Sequence, residues 1–301
     1  MMKNLGVAML VLGILWAAVG CDSKEATTQA QQAGARGGAG AKELVLDLGN
    51  KVTLKLVQIP AGKFLMGSPK DEKDRQEDEG LPPGKWVNGS PQIEVTISKA
   101  FYLGVYEVTV DQYAQFVKDT GTKHEEPRFK QTGDHPVVNV SWDDAQAFCQ
   151  WLSKKTGKTV VLPTEAQWEY ACRAGSKTRF SFGDKADDLG DFGWYDGNSM
   201  DKDKGAKMTH PVGQKKPNAW GLYDMHGNAW EWCADFYVAY AGAGADPTGP
   251  KAGGLRVLRG GSWDSYPWVC RSAYRIGIDP DHRFGGYGGF RVAVAAGVDL
   301  P

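Results

Sequence analysis

Gly221-Leu222-Tyr223-Asp224-Met225-His226-Gly227-Asn228-Ala229-Trp230-Glu231-Trp232 is the stretch on which the fold reading turns. It combines two glycines, three carboxylate or amide side chains and three aromatics, with no apolar period. A glycine inside a helix costs about 1 kcal/mol, and Gly227-Asn228 would interrupt a plain strand. The pattern predicts a turn that draws carbonyls and acid side chains together, with the tryptophans packing it down. Asp224 and Glu231, with main-chain oxygens between them, are the hard-oxygen ligands that calcium takes. A tight metal-free turn with satisfied polar groups has the same spacing, so the stretch alone leaves both readings open.

Upstream of this turn the chain reads as alternating strands and short capped helices. Val52, Leu54 and Leu56 alternate into the turn Ile59-Pro60-Ala61-Gly62, and Ile93, Val95 and Ile97 alternate ahead of Phe101 to Val108. Three capping boxes follow: Thr109 with Gln112, Ser141 with Asp144, and Thr164 with Gln167. Behind the second, Ala145, Phe148, Cys149 and Leu152 lie on one helical face. The acidic cluster Asp71 to Glu79 predicts a solvated loop. Beyond Gly175 the chain is rich in glycine, aspartate and tryptophan, and only Arg256 to Arg259 and Phe290 to Val294 read as strands. The expectation is an α+β domain with little regular structure.

The N-terminus reads differently. Lys3 precedes an apolar run from Leu5 to Val19 that is too short to span a membrane and suits a signal segment. Ala18-Val19-Gly20-Cys21 resembles a bacterial lipoprotein signal, which makes residues 1–20 a signal peptide and Cys21 the lipidated residue. Residues 21–42, poor in apolar side chains, predict a disordered tether, and 43–301 a single domain. The expected location is the periplasmic or surface face of a bacterial envelope, held by a lipid anchor. A net charge of −1 without a basic stripe argues against nucleic acid as a partner. Cys149, Cys172, Cys233 and Cys270 are an even set for an exported chain, so one or two disulfides are expected with the pairing open. None has zinc-ligand spacing.

The motifs, taken in order, carry a resemblance. They are Ile59-Pro60-Ala61-Gly62…Met66-Gly67, Tyr106-Glu107-Val108-Thr109, Pro136 to Trp142, Leu162-Pro163-Thr164-Glu165-Ala166-Gln167-Trp168-Glu169-Tyr170, Gly221 to Asp224, Gly227 to Trp232, Arg259-Gly260-Gly261-Ser262-Trp263 and Gly289-Phe290-Arg291. Across about residues 52 to 295 they resemble the formylglycine-generating enzyme, or sulfatase-modifying factor, family. The resemblance implies a glycine-rich variant of the C-type lectin fold. It also implies a structural calcium held by Asp224, the carbonyls of Gly227 and Ala229, and Glu231.

The family's oxidases use a pair of cysteines after the Gly-Gly-Ser motif to bind Cu(I), a soft-ligand site. Counted from Ser262, Ser265 stands at the first thiol position and Cys270 at the second; counted back from Arg275, Cys270 matches neither. The pair is missing in both registers, which argues against copper chemistry. Cys270 is then expected in a disulfide, with Cys172 one option, while an oxidase with an altered metal site using Cys270 is the alternative. The related iron sulfoxide synthases need a histidine-rich domain, but the five histidines here are scattered. No Gly-x-Ser-x-Gly elbow frames a serine for a triad with His226 and Asp264.

The segment Trp263 to Tyr287 also resembles the variable region of lectin-fold proteins served by diversity-generating retroelements. Asp264, Ser265, Tyr266, Val269, Ile276, Gly277, Ile278, His282, Phe284, Gly285 and Tyr287 are residues that such a system generates. The expectation is a calcium-braced, monomeric module that grips a protein or peptide. Its ligand face would comprise Trp263, Asp264, Tyr266, Trp268, Ile276, Ile278, His282, Phe284 and Tyr287. For any one of the aromatics, packing in the frame competes with display.

Overall fold

The computed structural model describes residues 42–69, 72, 92–240 and 242–295. The signal-like segment, Cys21 and residues 22–41 lie outside the described residues, as does the acidic cluster apart from Glu72. Glu72 is paired with Arg271.

The helices begin at the capping boxes expected of them. α1 (Val110–Thr120) starts after Thr109, whose hydroxyl accepts the Gln112 N–H while the Gln112 side chain accepts the Thr109 N–H. α2 (Trp142–Thr156) is opened the same way by Ser141 and Asp144, and α3 (Glu165–Arg173) by Thr164 and Gln167. Each cap contributes about 1 kcal/mol. Gly121 and Gly157 end the first two helices in left-handed backbone, at φ 71° and 69°. Ala174 takes that role after α3 at φ 46°, a conformation that costs a residue with a Cβ about 1 kcal/mol.

In chain order the strands are β1 (Glu43–Gly49), β2 (Val52–Ile59), β3 (Gly62–Met66), β4 (Ile93–Ile97), β5 (Phe101–Gly104), β6 (Val160–Val161), β7 (Met200–Asp201) and β8 (Ala206–Lys207). They continue as β9 (Trp230–Phe236), β10 (Gly244–Ala245), β11 (Arg256–Arg259), β12 (Arg275–Ile278), β13 (Gly288–Gly289) and β14 (Ala293–Ala295). The largest sheet is antiparallel with order β1-β2-β5-β14-β6, which places β14 between strands from the first half of the domain. A second sheet, β12-β11-β9-β13, carries the glycine- and tryptophan-rich half.

Two apolar clusters hold these layers. Leu48 and Leu56 meet Tyr113, Phe148 and Phe290 in one, where Phe148 stacks on Tyr113 at 5.8 Å and meets Phe290 edge-on at 5.3 Å. Truncating so enclosed a ring costs about 3–5 kcal/mol. Ile59, Val95, Leu103, Trp168 and Val257 form the other beneath α3.

Several expectations change. Strand β9 escaped the sequence pattern because its first four residues are all buried, so no alternation marks it. β12 escaped because Arg275 and Gly277 occupy its inward positions. The strand expected over Phe290 to Val294 begins only at Ala293. The Phe290 and Val292 carbonyls instead accept the Val108 and Gly104 amides. The expected disulfides are not formed: Cys149, Cys172, Cys233 and Cys270 are all free, buried thiols. Cys149 sits in the α2 core, Cys172 and Cys233 in the core beneath α3, and Cys270 with Phe180 and Leu189. Each packs as a small apolar side chain.

Candidate functional site

The Gly221–Trp232 turn is built from backbone that L-residues rarely adopt. Asp224 and Asn228 lie at φ 60° and 65°. Gly227 has φ 150°, and a Cβ there would stand 2.2 Å from the Trp194 carbonyl oxygen. The Asn228 amide donates to that carbonyl at 2.7 Å, and its side chain accepts the His210 N–H at 2.9 Å. Trp232 Nε1 donates to the Val140 carbonyl at 2.9 Å, which pins the turn to the start of α2.

The carboxylates here divide unequally. Glu231 accepts two bonds from Arg291, from Nε and Nη2 at 2.6 Å each, and a third from Trp168 Nε1 at 2.6 Å. Asp224 Oδ2 accepts the Gly213 N–H at 2.7 Å, but its Oδ1 is buried without a partner. Glu107 is buried with neither carboxylate oxygen bonded. Burial and then the neighbouring Asp224 push the Glu107 carboxyl well above its usual range, and burial likewise raises Asp224. Orphaned carboxylates in a dry interior call for a proton or a cation. Asp224, Glu107 and nearby carbonyls are a hard-oxygen set that fits calcium in donor chemistry. Among the described residues no three His, Cys, Asp or Glu side chains converge on one point as metal ligands. Glu107 was not singled out in the sequence, although a carboxylate within Tyr106-Glu107-Val108-Thr109 was the signal.

The two positions compared with the family's copper thiols, Ser265 and Cys270, are both buried. Gly260 and Gly261, at φ 95° and 76°, turn the chain after β11. A Cβ on Gly261 would stand 2.7 Å from Cys270 Sγ. Ser265 is buried; its hydroxyl accepts the Ser262 N–H at 2.9 Å and lies 3.2 Å from the Ser262 hydroxyl. Cys270 is fully enclosed, and burial pushes its thiol upward, away from the thiolate that binds metal. His226 is tied down beside it: Nε2 accepts the Ser181 N–H at 3.1 Å, so Nδ1 carries the proton to the Cys270 carbonyl at 2.8 Å. Burial lowers the His226 pKa to about 4. Its partners are Ser181, Cys270 and the Cys172 thiol, not Ser262 or Asp264.

A wall of buried ion pairs stands behind this loop. Glu165 takes Arg275 through two bonds of 2.6 Å and lies 3.2 Å from Arg259 Nε. Glu169 binds Arg173 at 2.8 Å and also Arg259 Nη2. Arg259 Nη1 donates to the Ser272 and Tyr274 carbonyls at 3.1 and 2.7 Å, which fixes the path from Ser262 to Arg275.

In front of the wall the predicted ligand face is partly formed. Tyr266 is 59 % exposed and stacks loosely on half-buried Trp268, with ring centroids 6.3 Å apart. Asp264 and His282 are exposed, while Phe284 and Tyr287 are half-buried with their centroids 5.6 Å apart. Trp263 is not on the face: it is buried, stacked on Tyr287 at 4.9 Å, with Nε1 donating to the Gly286 carbonyl at 3.0 Å. Half-buried Ile276 and Ile278 pack on the α2 core, so they support the face more than they present it. The Asp196–Lys207 pair, absent from the sequence reading, rims it. The Asp196 N–H donates to the Ser265 carbonyl at 3.0 Å, and Lys207 feels Asp264 and Tyr266.

Comparison with known proteins agrees with this frame. Residues 47–296 match the family described as the sulfatase-modifying factor enzyme 1-like domain. The formylglycine-generating enzyme of Bos taurus is 32 % identical, over 75 % of this chain and 71 % of its own. Inactive C-alpha-formylglycine-generating enzyme 2 of the same species is also 32 % identical, over 84 % of this chain and 92 % of its own. The solved structure of Treponema denticola variable protein 1 superposes with a TM-score of 0.71 at 26 % identity, covering 85 % of this chain and all of that one (100 %). With the C-type-lectin-like architecture in place, the chain belongs to the sulfatase-modifying factor enzyme 1-like domain family.

Proposed function

We propose that this chain is a calcium-braced module that binds a protein or peptide on the face around Tyr266, without copper oxidase chemistry, and that a lipid on Cys21 anchors it in a bacterial envelope. The observation that carries the reading is the display of Tyr266 and Asp264 beside Trp268, Phe284 and Tyr287, on a loop fixed from behind by Arg259. Exposed aromatics on a rigid support give contact area at low entropy cost. Ser265 in place of a thiol and the enclosed Cys270 weigh against the oxidase. Likeness to an enzyme relative named as inactive supports the same reading. Calcium would be held by Asp224 and Glu107 with the Gly227 and Ala229 carbonyls, and it would supply charge balance. Glu231 would act on the site through Arg291.

A photo-crosslinking amino acid placed at 266 and, as a control, at the remote exposed Val45 tests the reading in an envelope extract. A discrete adduct from position 266 alone, lost with Phe284→Ala, is the expected result. Equal labelling from both positions refutes it.

The likeness to a variable protein favours a second reading, in which the 264–287 loop is diversified. Sequencing the locus across isolates checks it: substitutions confined to Asp264, Tyr266, Ile276, Ile278, His282, Phe284 and Tyr287 are expected, and a uniform spread refutes it.

A further inference from the structure

A cavity of about 330 Å³ lies at the end of β9, beneath the 242–250 loop, and shares no residue with the aromatic face. Its walls are apolar: Met66, Ile93, Phe236, Val238, Ala239 and Pro250. Its polar end holds Asp235, Glu165, Arg275 and Tyr240. That combination of apolar walls and a few convergent polar groups is the build of a small-molecule site.

The polar end is incompletely satisfied. Asp235 is 5 % exposed, and its Oδ2 accepts the Glu165 N–H at the start of α3 at 2.7 Å. Its Oδ1 accepts no hydrogen bond among the described residues and faces Gly249, where a Cβ would stand 3.2 Å away. Among the described residues no arginine is bonded to Asp235. Arg275 is committed to Glu165 and to the Val238 carbonyl, which it meets at 2.6 Å, and Arg259 is shared between Glu165 and Glu169. The Tyr240 hydroxyl is buried without a partner. A carboxylate and a phenol oxygen therefore stand unpartnered at the foot of an apolar chamber.

We propose that this cavity binds a small organic amine, its ammonium head on Asp235 and its apolar body against Met66, Ile93 and Phe236. An ammonium brings donors and no acceptor, which matches two free oxygens, and its charge offsets a buried carboxylate. An anion would meet Asp235 and Glu165 together. A neutral alcohol would make one hydrogen bond and leave the charge uncompensated.

The test is a titration of the full chain with phenethylamine, read through methyl-labelled Met66, Val238 and Ala239 signals, with 2-phenylethanol as the uncharged isostere. Saturable shifts at those methyls are expected from the amine, at least tenfold tighter than from the alcohol. Burial raises the Asp235 pKa to about 7, so amine affinity should fall about tenfold between pH 8 and pH 6, as the carboxylate takes up a proton. Asp235→Asn keeps an acceptor for the Glu165 N–H and should erase the preference for the amine. Ala239→Trp, at an exposed position of the rim, should abolish binding while the fold persists. Equal affinity for amine and alcohol, an unchanged preference in the folded Asp235→Asn variant, or no saturable shift in the wild-type protein would overturn the proposal.

Discussion

Two buried acidic regions sit on either side of Trp168, and they solve the same electrostatic problem differently. Behind the ligand loop, Glu165 and Glu169 meet Arg173, Arg259 and Arg275, so each carboxylate is paired within the chain. Beneath the Gly221–Trp232 turn, Glu231 is the carboxylate that holds Arg291, whose other donors go to backbone carbonyls, while Glu107 and one oxygen of Asp224 go without. Both regions are buried, and both lie on motifs of the family. The first closes its electrostatics with its own side chains. The second needs something from solvent, either protons or a cation. Such a contrast separates a brace from a site.

The sharpest way to break the contrast is to unpair the self-sufficient region. Arg259→Ala should leave Glu165 and Glu169 short of a cation and lower unfolding stability by about 3–5 kcal/mol, measured by urea titration. An intermediate effect is expected from calcium. Added at a hundredfold excess over its dissociation constant, it should stabilise the wild-type protein by about 2.7 kcal/mol. Glu107→Gln should shrink that gain, while Glu165→Gln should leave the gain intact even as it lowers baseline stability.

A pH series sharpens the comparison further. In calcium-free buffer Glu107, Asp224 and Asp235 have folded pKa values raised by burial above their unfolded ones. Their protonated forms favour the fold, so this contribution is full below about pH 4 and is lost as pH rises, through about 7 for Asp235. Calorimetry in chelator should show thermal stability falling over that window, and calcium should flatten the part due to Glu107 and Asp224. The smallest effect on stability is expected from Tyr266→Ala, within about 0.5 kcal/mol, because the ring is mostly exposed. Binding at the face should nevertheless drop by at least tenfold.

Much of the frame was legible because local chemistry writes it plainly. Thr109-Gln112, Ser141-Asp144 and Thr164-Gln167 satisfy orphan amides within a few residues, so each helix start shows in sequence. The turn at Asp224 to Asn228 was legible for a similar reason, since its left-handed backbone selects a narrow set of residues. β9 and β12 were not, because their pattern depends on partners far along the chain: Arg275 can be buried in a strand only because Glu165 is there. The site was legible only in part. Glu107 lies more than a hundred residues before Asp224, and nothing local marks its carboxyl as orphaned. Trp263 and Tyr266 look alike in sequence; the Phe129 ring edge and the Gly286 carbonyl receive one and leave the other to solvent.

The position of β14 has a consequence for biogenesis. Ala293–Ala295 fills the slot between β5 and β6, so the largest sheet stays split until almost the whole domain has left the ribosome. Closing it pairs Val294 with Tyr102 and with Val160, contacts between segments far apart in the chain, and such non-local pairing folds slowly. An emerging chain of this design cannot complete its largest sheet until β14 arrives.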